Sequence, residues 1–251
     1  MKFPVNCDMA EGYGIYRSGD DEGCIRFVSH INVACGFHAS DPSIMWNTVR
    51  MARKYGVGVG AHPGLPDREG FGRRAIKISR AEAAAMTLYQ IGALKAFLDY
   101  ERMPLTHIKP HGALHGMAVT DRQIALGLAD GCERFGVPIL VIGNSEFENV
   151  CNERGLENYR EFCADLEYDD DGIVIITAVH DAVDPQRSAR RCMRAIREGV
   201  TESASGRTIP IRADSITVHA DTPNAVVVAE AVWDGMAEIR AAGAMVRNLH
   251  N

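Results

Sequence analysis

Short apolar runs that carry a histidine or an acidic residue at their ends recur along this 251-residue chain, and they constrain its fold most. Six runs have this form, at residues 3–11, 31–38, 57–63, 106–112, 160–165 and 215–221. A seventh apolar run, residues 138–144, ends in Asn144. Uninterrupted apolar runs are typical of parallel strands that are buried on both faces. The pattern therefore predicts about seven such strands.

Segments with the apolar spacing of helices separate the predicted strands. Five helices are expected, at residues 41–56, 79–100, 120–136, 184–199 and 222–243. Ser79 and Glu82, at the start of the second, have the spacing of a capping box. The alternation of strand and helix predicts an α/β fold with a parallel sheet. A closed β/α barrel and an open doubly wound sheet both satisfy it, and residues 1–251 are expected to form one domain.

Three segments interrupt this alternation. Residues 64–74 are rich in glycine and charge, and they are expected to form a long loop that folds over the strand ends. Residues 167–172 read as an acidic turn. The apolar piece that follows, residues 173–177, is interpreted as an edge hairpin.

Composition and charge argue against several classes of protein. The net charge of −6 and the absence of a dense Lys/Arg stripe argue against binding to nucleic acid. No apolar run approaches the length of about 18 residues that spans a membrane. Seven cysteines without a CxxC pair, and no apolar signal segment at the start, predict a cytoplasmic protein with reduced thiols.

The polar residues at the strand ends are the candidates for chemistry, because the carboxyl ends of the strands carry the active site in β/α barrels. The residues expected to converge there are Asp8, Glu11, His38, His62, Lys109, His111, Asp165, His219 and Asp221. Asp8 and Glu11 suit general acid/base work or a hard cation. A buried Lys109 suits stabilisation of an oxyanion or, with a lowered pKa, the role of a base.

Other interpretations of these residues remain open. His111 and His115 lie four positions apart, which resembles the spacing of metal ligands if the segment after Gly112 is helical. The metal-ligand candidates are Asp8, His62, His111 and His115, and His38 adds a further donor. A nucleophilic Cys35 beside His38 is disfavoured, because no third residue would orient the pair. The chain also lacks the phosphate loop, the GxGxxG motif and the GxSxG elbow.

The motifs NCDMAEGYG, INVACGFHASDP, GAHPGLPDREGFGRR, HIKPHGAL and VHADTPNA occur in this order. In these motifs, from residue 3 to about residue 240, the chain resembles the LamB/YcsF family of 5-oxoprolinase A subunits. The resemblance implies a seven-stranded TIM-like (β/α) barrel of the glycoside hydrolase/deacetylase type. It also implies ATP-dependent opening of 5-oxo-L-proline, a cyclic amide, to L-glutamate. Subunits B and C would be the partners, and a partner would bind the ATP with its Mg²⁺.

The resemblance also assigns site residues by position. Those that match catalytic motif positions are Asp8, Glu11, His38, His62, Lys109, His111, His219 and Asp221. The substrate-binding candidates are Asn6, Arg73, Arg74 and Asp165. The chain departs from the family pattern at Ala10, Ser40, His115, Gly116 and Ala220. Leu166 stands where the family has an arginine, and residues 173–180 lack a second one.

Three functional hypotheses follow. The first is the ATP-dependent opening of 5-oxo-L-proline within a complex with subunits B and C. The second is a metal-dependent, deacetylase-like hydrolysis of another lactam or amide. The two missing family arginines point to another substrate, because arginine is the usual residue for capturing a carboxylate. The third is a lactam-binding subunit without catalysis. A homo-oligomer is compatible with each of them.

Overall fold

The structure, a computed structural model, describes residues 3–177 and 179–241. The strands in this part of the chain are β1 (Phe3–Met9), β2 (His30–Ala34), β3 (Gly58–His62), β4 (Leu105–Ile108), β5 (Ile139–Val141), β6 (Asn158–Cys163), β7 (Val200–Glu202), β8 (Thr208–Pro210) and β9 (Ser215–His219). All but β7 and β8 form one closed barrel, in the order β1-β2-β3-β4-β5-β6-β9, in which neighbouring strands are parallel. The predicted seven-stranded barrel is therefore confirmed.

Helices surround the barrel. They are α1 (Asp21–Cys24), α2 (Pro42–Tyr55), α3 (Arg80–Tyr100), α4 (Gly112–Thr120), α5 (Arg122–Cys132), α6 (Glu146–Glu153), α7 (Pro185–Arg197) and α8 (Ala225–Gly235). Asp41 caps α2 by accepting the backbone N–H groups of Ser43 and Ile44, and Gly56 ends it in the left-handed conformation. Among the described residues, no helix combines the length and the apolarity that crossing a bilayer requires.

Two predicted helices differ in the structure. The segment predicted as one helix at 120–136 begins later, because Asp121 ends α4 and caps α5 with its carboxylate. The last predicted helix, 222–243, begins only at Ala225. The hydroxyl of Thr222 instead donates to Asp165 at the barrel mouth. Residues 242 and 243 of that prediction lie outside the described part of the chain.

The hairpin predicted at residues 173–177 is limited to a short antiparallel pairing. One isolated bridge, between Tyr168 and Val174, forms there, and two backbone hydrogen bonds join residues 167–169 to 173–175. The carboxylate of Asp169 accepts the backbone N–H groups of Asp171 and Ile173, which closes the tight turn between the two segments. A regular antiparallel hairpin, β7–β8, forms further along the chain.

The barrel interior is polar below the mouth. Along β1, Asn6 and Asp8 alternate with Val5 and Cys7, all of them buried. Asn6 donates its amide to the Ser215 hydroxyl and the Ile216 carbonyl, at 2.8 and 2.9 Å. A buried polar network is stable only when its members are hydrogen-bonded, and these bonds meet that condition.

The capping box of α3 gives a first test of the fold. The Ser79 hydroxyl accepts the N–H of Glu82, whose carboxylate accepts the N–H of Ser79. We expect Ser79→Ala to lower the free energy of unfolding by about 1 kcal/mol and the melting temperature by about 2–4 °C. Thermal and urea denaturation measure this. In the S79A/E82A control the two costs should not add, and additive costs would contradict a reciprocal cap.

Candidate active site

The candidate residues from the strand ends meet at one mouth of the barrel. The buried members are Asp8, Glu11, His38, His62, Lys109, His111, Asp165 and His219. The side chain of Asp221 is 10 % exposed beside them. The register of the sheet places Asp8 next to Asn32 of β2 and next to His219 of β9. Parallel strands thus bring together residues that are more than 200 positions apart.

Asp8 and Lys109 form the central ion pair of the mouth. The Lys109 ammonium lies 2.8 and 3.0 Å from the two carboxylate oxygens of Asp8, and 3.6 Å from Glu161. Burial alone would raise the pKa of Asp8, but the charges of His62 and Lys109 lower it well below its usual value. Burial likewise opposes the charge on Lys109, yet Asp8 and Glu161 raise the pKa of its ammonium. Both groups are therefore charged at neutral pH.

The floor of the barrel holds Asp8 in position. Asn32 donates its amide to the Oδ1 of Asp8 and to the side-chain Oδ1 of Asn6, both at 2.7 Å. Its own oxygen accepts the Nε2 hydrogen of His107. The Asn6 amide N–H groups donate to residues of β9, so the side-chain oxygen of Asn6 is the acceptor for Asn32. The donor and the acceptor of each hydrogen bond in this series are therefore fixed. The second oxygen of Asp8 is thereby directed towards the mouth.

Asp165 and His219 form a second pair, beside Asp8 at the mouth. The Nδ1 of His219 donates to the Oδ1 of Asp165 at 2.8 Å, while the Nε2 lies 3.6 Å from Asp8. Asp165 also accepts the backbone N–H of His219 and the hydroxyl of Thr222. Burial works against the imidazolium, but the charge of Asp165 raises the pKa of His219. A carboxylate that orients an imidazole in this way is typical of general bases.

A third group, the histidine cluster, consists of Glu11, His38, His62 and His111. One potential donor atom from each lies within 4.8 Å of the others. Burial lowers the pKa of all three imidazoles and raises that of Glu11. Three imidazoles and a carboxylate at this spacing could hold a metal ion.

The loop over the mouth covers the histidine cluster, as the sequence predicts. The backbone of Gly72 packs so closely that a Cβ there would lie 2.6 Å from His38 and 2.8 Å from His111. Arg73 donates to Asp221 at 2.9 Å, and His180 contacts the other oxygen of Asp221 at 3.1 Å. The loop is thus tied to the segment that follows β9.

Three predicted residues lie away from this centre. Asn6 belongs to the barrel floor, as described above. Arg74 turns outward to Asp67, and its side chain is 64 % exposed. His115 accepts the backbone N–H of Ile142 with its Nε2 and faces Glu161 with its Nδ1. The segment after Gly112 is helical, as the metal-ligand spacing required. The ring nitrogens of His115 are nevertheless engaged with Ile142 and Glu161 and not with the histidine cluster.

The structure also reveals residues that sequence analysis missed: Asn32, His107, Glu161 and His180. Glu161 is buried within β6, and burial alone would raise its pKa. The charge of Lys109 and the hydrogen bond from His115 overcome this effect and lower the pKa to about 2. An acidic residue inside an apolar strand is itself a signal, because carboxylates are rarely fully buried without a partner. His180 lies in a loop without a motif, and no sequence signal marks it.

The mouth encloses a small cavity of about 40 Å³, lined by Asp8, Lys109 and His219 among others. A larger cavity of about 300 Å³ adjoins it. Ile142, Glu161 and Val174 line both cavities. The inner cavity is close to the volume of one water molecule.

Comparison with known proteins identifies one family and several similar proteins. The model of the LamB/YcsF family matches residues 3–251. The A subunit of 5-oxoprolinase from Chloroflexus aggregans is 41% identical over 98% of this chain and 98% of its own length. The same subunit from Thermus thermophilus is 40% identical over 98% and 99%. The crystal structure of the lactam utilization protein from Thermus thermophilus superposes with a TM-score of 0.87 at 39% identity, covering 95% of this chain and 97% of that one.

Proposed function

The chain belongs to the LamB/YcsF family, and we propose that it is the hydrolytic subunit of a complex that opens 5-oxo-L-proline to L-glutamate. Subunits B and C would complete the complex, and ATP with Mg²⁺ would bind on a partner. One observation carries the proposal. The Asp165–His219 pair lies beside the Asp8–Lys109 pair at the buried mouth, with the Nε2 of His219 3.6 Å from the Oδ2 of Asp8.

The arrangement suits attack of water on an amide carbon. Resonance makes a lactam carbonyl a poor electrophile, and ATP bound on the partner would activate its oxygen by phosphorylation. The Nε2 of His219 would take a proton from water while Asp165 holds the ring and stabilises its positive form. The Lys109 ammonium would stabilise negative charge that develops on the substrate. Two waters are consumed: the first attacks the activated carbon and breaks the ring C–N bond, which leaves a phosphorylated carboxyl group. The second hydrolyses this acyl phosphate to L-glutamate and phosphate, so that ATP becomes ADP and phosphate overall.

Recognition of the substrate carboxylate falls to Arg73 in this proposal. Arg73 reaches the mouth from the covering loop, where its present partner is Asp221. A substrate carboxylate would replace Asp221 in a charge-assisted hydrogen bond. Leu166, at the position of the expected family arginine, contributes only an apolar wall to the cavity.

The histidine cluster favours a second candidate function, metal-dependent hydrolysis of an amide by this chain alone. In that case turnover would need neither ATP nor partner subunits. A lactam-binding role without catalysis is the third candidate, and variants of Lys109 or His219 would then leave the turnover of the complex unchanged.

The deciding experiment measures glutamate release from 5-oxo-L-proline by the purified chain, with and without subunits B and C and with and without ATP and Mg²⁺. The proposal expects turnover only when all components are present. The matched variants are His219→Gln, expected to abolish turnover, and Arg74→Gln, expected to leave it unchanged because Arg74 lies outside the mouth. Turnover without ATP would favour the second candidate. No turnover with competent partners would exclude 5-oxo-L-proline as the substrate.

A further inference from the structure

We propose that Glu11, His62 and His111 form a binding site for one divalent transition-metal ion of the Zn²⁺ type, with His38 packed against it. The site lies beside the Asp8–Lys109 pair and beneath the loop that carries Gly72. The inference does not depend on which lactam the protein acts on, because binding of the metal can be measured directly.

The strongest evidence is the direction of the hydrogen bonds made by two of the rings. The Nδ1 of His62 lies 2.6 Å from the carbonyl oxygen of Lys109, and the Nε2 of His111 lies 2.7 Å from that of Phe71. A carbonyl oxygen only accepts, so each of these nitrogens carries the hydrogen. In the neutral rings the remaining nitrogens therefore carry lone pairs.

Those two lone pairs point at each other. The Nε2 of His62 and the Nδ1 of His111 are 2.9 Å apart. Two acceptor nitrogens at this distance repel each other unless both bind the same cation or an additional proton lies between them. Histidines that bind metals characteristically donate their second ring nitrogen to a carbonyl or carboxylate, and both rings do so here.

The spacing of the donor atoms fits a single ion. The Oε1 of Glu11 lies 3.4 Å from the Nδ1 of His111 and 3.8 Å from the Nε2 of His62. Zinc–ligand bonds of about 2.0–2.2 Å in a tetrahedron imply about 3.3–3.6 Å between ligand atoms. The distances from Glu11 are close to this range, and the two histidine nitrogens are slightly closer to each other.

Packing holds the rings of the cluster in place. His38 stacks on His111 with the ring centroids 3.7 Å apart and an angle of 5° between the planes. A Cβ at Gly64 would lie 2.4 Å from the Nδ1 of His38, so only glycine allows this approach. That Nδ1 is buried and has no hydrogen-bond partner among the described residues. Because one ion cannot lie in the planes of two parallel rings at this separation, His38 packs against the site and does not bind the ion. His62 and His111 are held by the carbonyl groups.

Neighbouring groups define the limits of the ligand set. Asp8 lies 3.2 Å from the Nε2 of His62, but Lys109 binds both of its oxygens. His115, a candidate from sequence spacing, is engaged with Ile142 and Glu161. Two imidazole nitrogens and one carboxylate, with water as the fourth ligand, favour an ion of the Zn²⁺ type over Mg²⁺, which prefers oxygen ligands.

The test uses the full chain after treatment with a chelator, and the probes are Zn²⁺ in calorimetry and Co²⁺ in visible absorption. We expect one ion per chain and the visible bands of four-coordinate Co²⁺, with Mg²⁺ in excess unable to compete. Glu11→Gln and His111→Gln should each weaken binding at least about 10–100-fold. His115→Gln, a buried histidine of the same mouth, is the matched control and should bind as the wild type does.

The outcomes separate the metal site from a pair of histidines that share a proton. Failure of the wild type to bind either ion would overturn the proposal, and so would equal binding by H111Q and H115Q. Thermal denaturation shows whether each variant is folded, and Zn²⁺ should raise the melting temperature of the wild type but not that of H111Q. If the ligand variants do not fold, the Co²⁺ spectrum of the wild type decides alone. Loss of lactam turnover with intact metal binding would count only against the proposed function.

Discussion

Lys109→Met is expected to reduce turnover of the complete complex by at least about a hundredfold and to lower the free energy of unfolding by about 3–5 kcal/mol. The loss of turnover follows from removing the only lysine in the described mouth, which faces the inner cavity. The loss of stability has a different cause. Lys109 is buried between Asp8 and Glu161, and methionine would leave both carboxylates without their ammonium partner.

A double variant separates the two effects. In Asp8→Asn/Lys109→Met the pair becomes neutral, so part of the lost stability should return while turnover stays low. Urea denaturation measures the first quantity and glutamate release by the complete complex measures the second. Unchanged turnover in K109M would remove Lys109 from the mechanism, and an unchanged free energy of unfolding would contradict the buried ion pair.

The barrel was predictable because its strands leave a strong trace in the sequence. A strand buried on both faces needs a nearly continuous apolar run, and six of the seven runs carried their histidines and carboxylates at the ends. Helix ends were predictable where local chemistry defines them, as at Asp41 and Ser79. The region after β6 was not, because residues 173–177 are apolar but the side chain of Asp169 imposes a turn on them.

The site was only partly predictable, because sequence position indicates which end of the barrel a residue occupies but not what its side chain contacts. His111 and His115 illustrate the difference. Their spacing predicts a shared helix face, yet His111 is the residue that precedes α4, and His115 accepts the backbone N–H of Ile142, the residue after β5. Glu11 lies next to three histidines only because the fold brings their segments together. Arg73 and Arg74 are neighbours in sequence, yet Arg73 pairs with Asp221 and Arg74 with Asp67.

Asp165→Asn is expected to lower turnover by about 10²–10⁴-fold, because the amide cannot stabilise the imidazolium that forms when His219 takes a proton. Its pH dependence should change as well. A base acts in its neutral form, so wild-type turnover should rise with pH through the raised pKa of His219. Without the charge of Asp165 that pKa falls, and the rise should move to lower pH.

Thr222→Val is the matched control for this variant, since the Thr222 hydroxyl also donates to Asp165 but carries no charge. It should lower turnover much less and leave the midpoint of the pH profile close to that of the wild type. Both profiles are measured as kcat for glutamate release with saturating ATP and partner subunits. A profile of D165N with an unchanged midpoint would show that the group titrating in kcat is not His219. The base would then have to be sought elsewhere at the mouth, with Asp8 as the next candidate because its Oδ2 faces the Nε2 of His219.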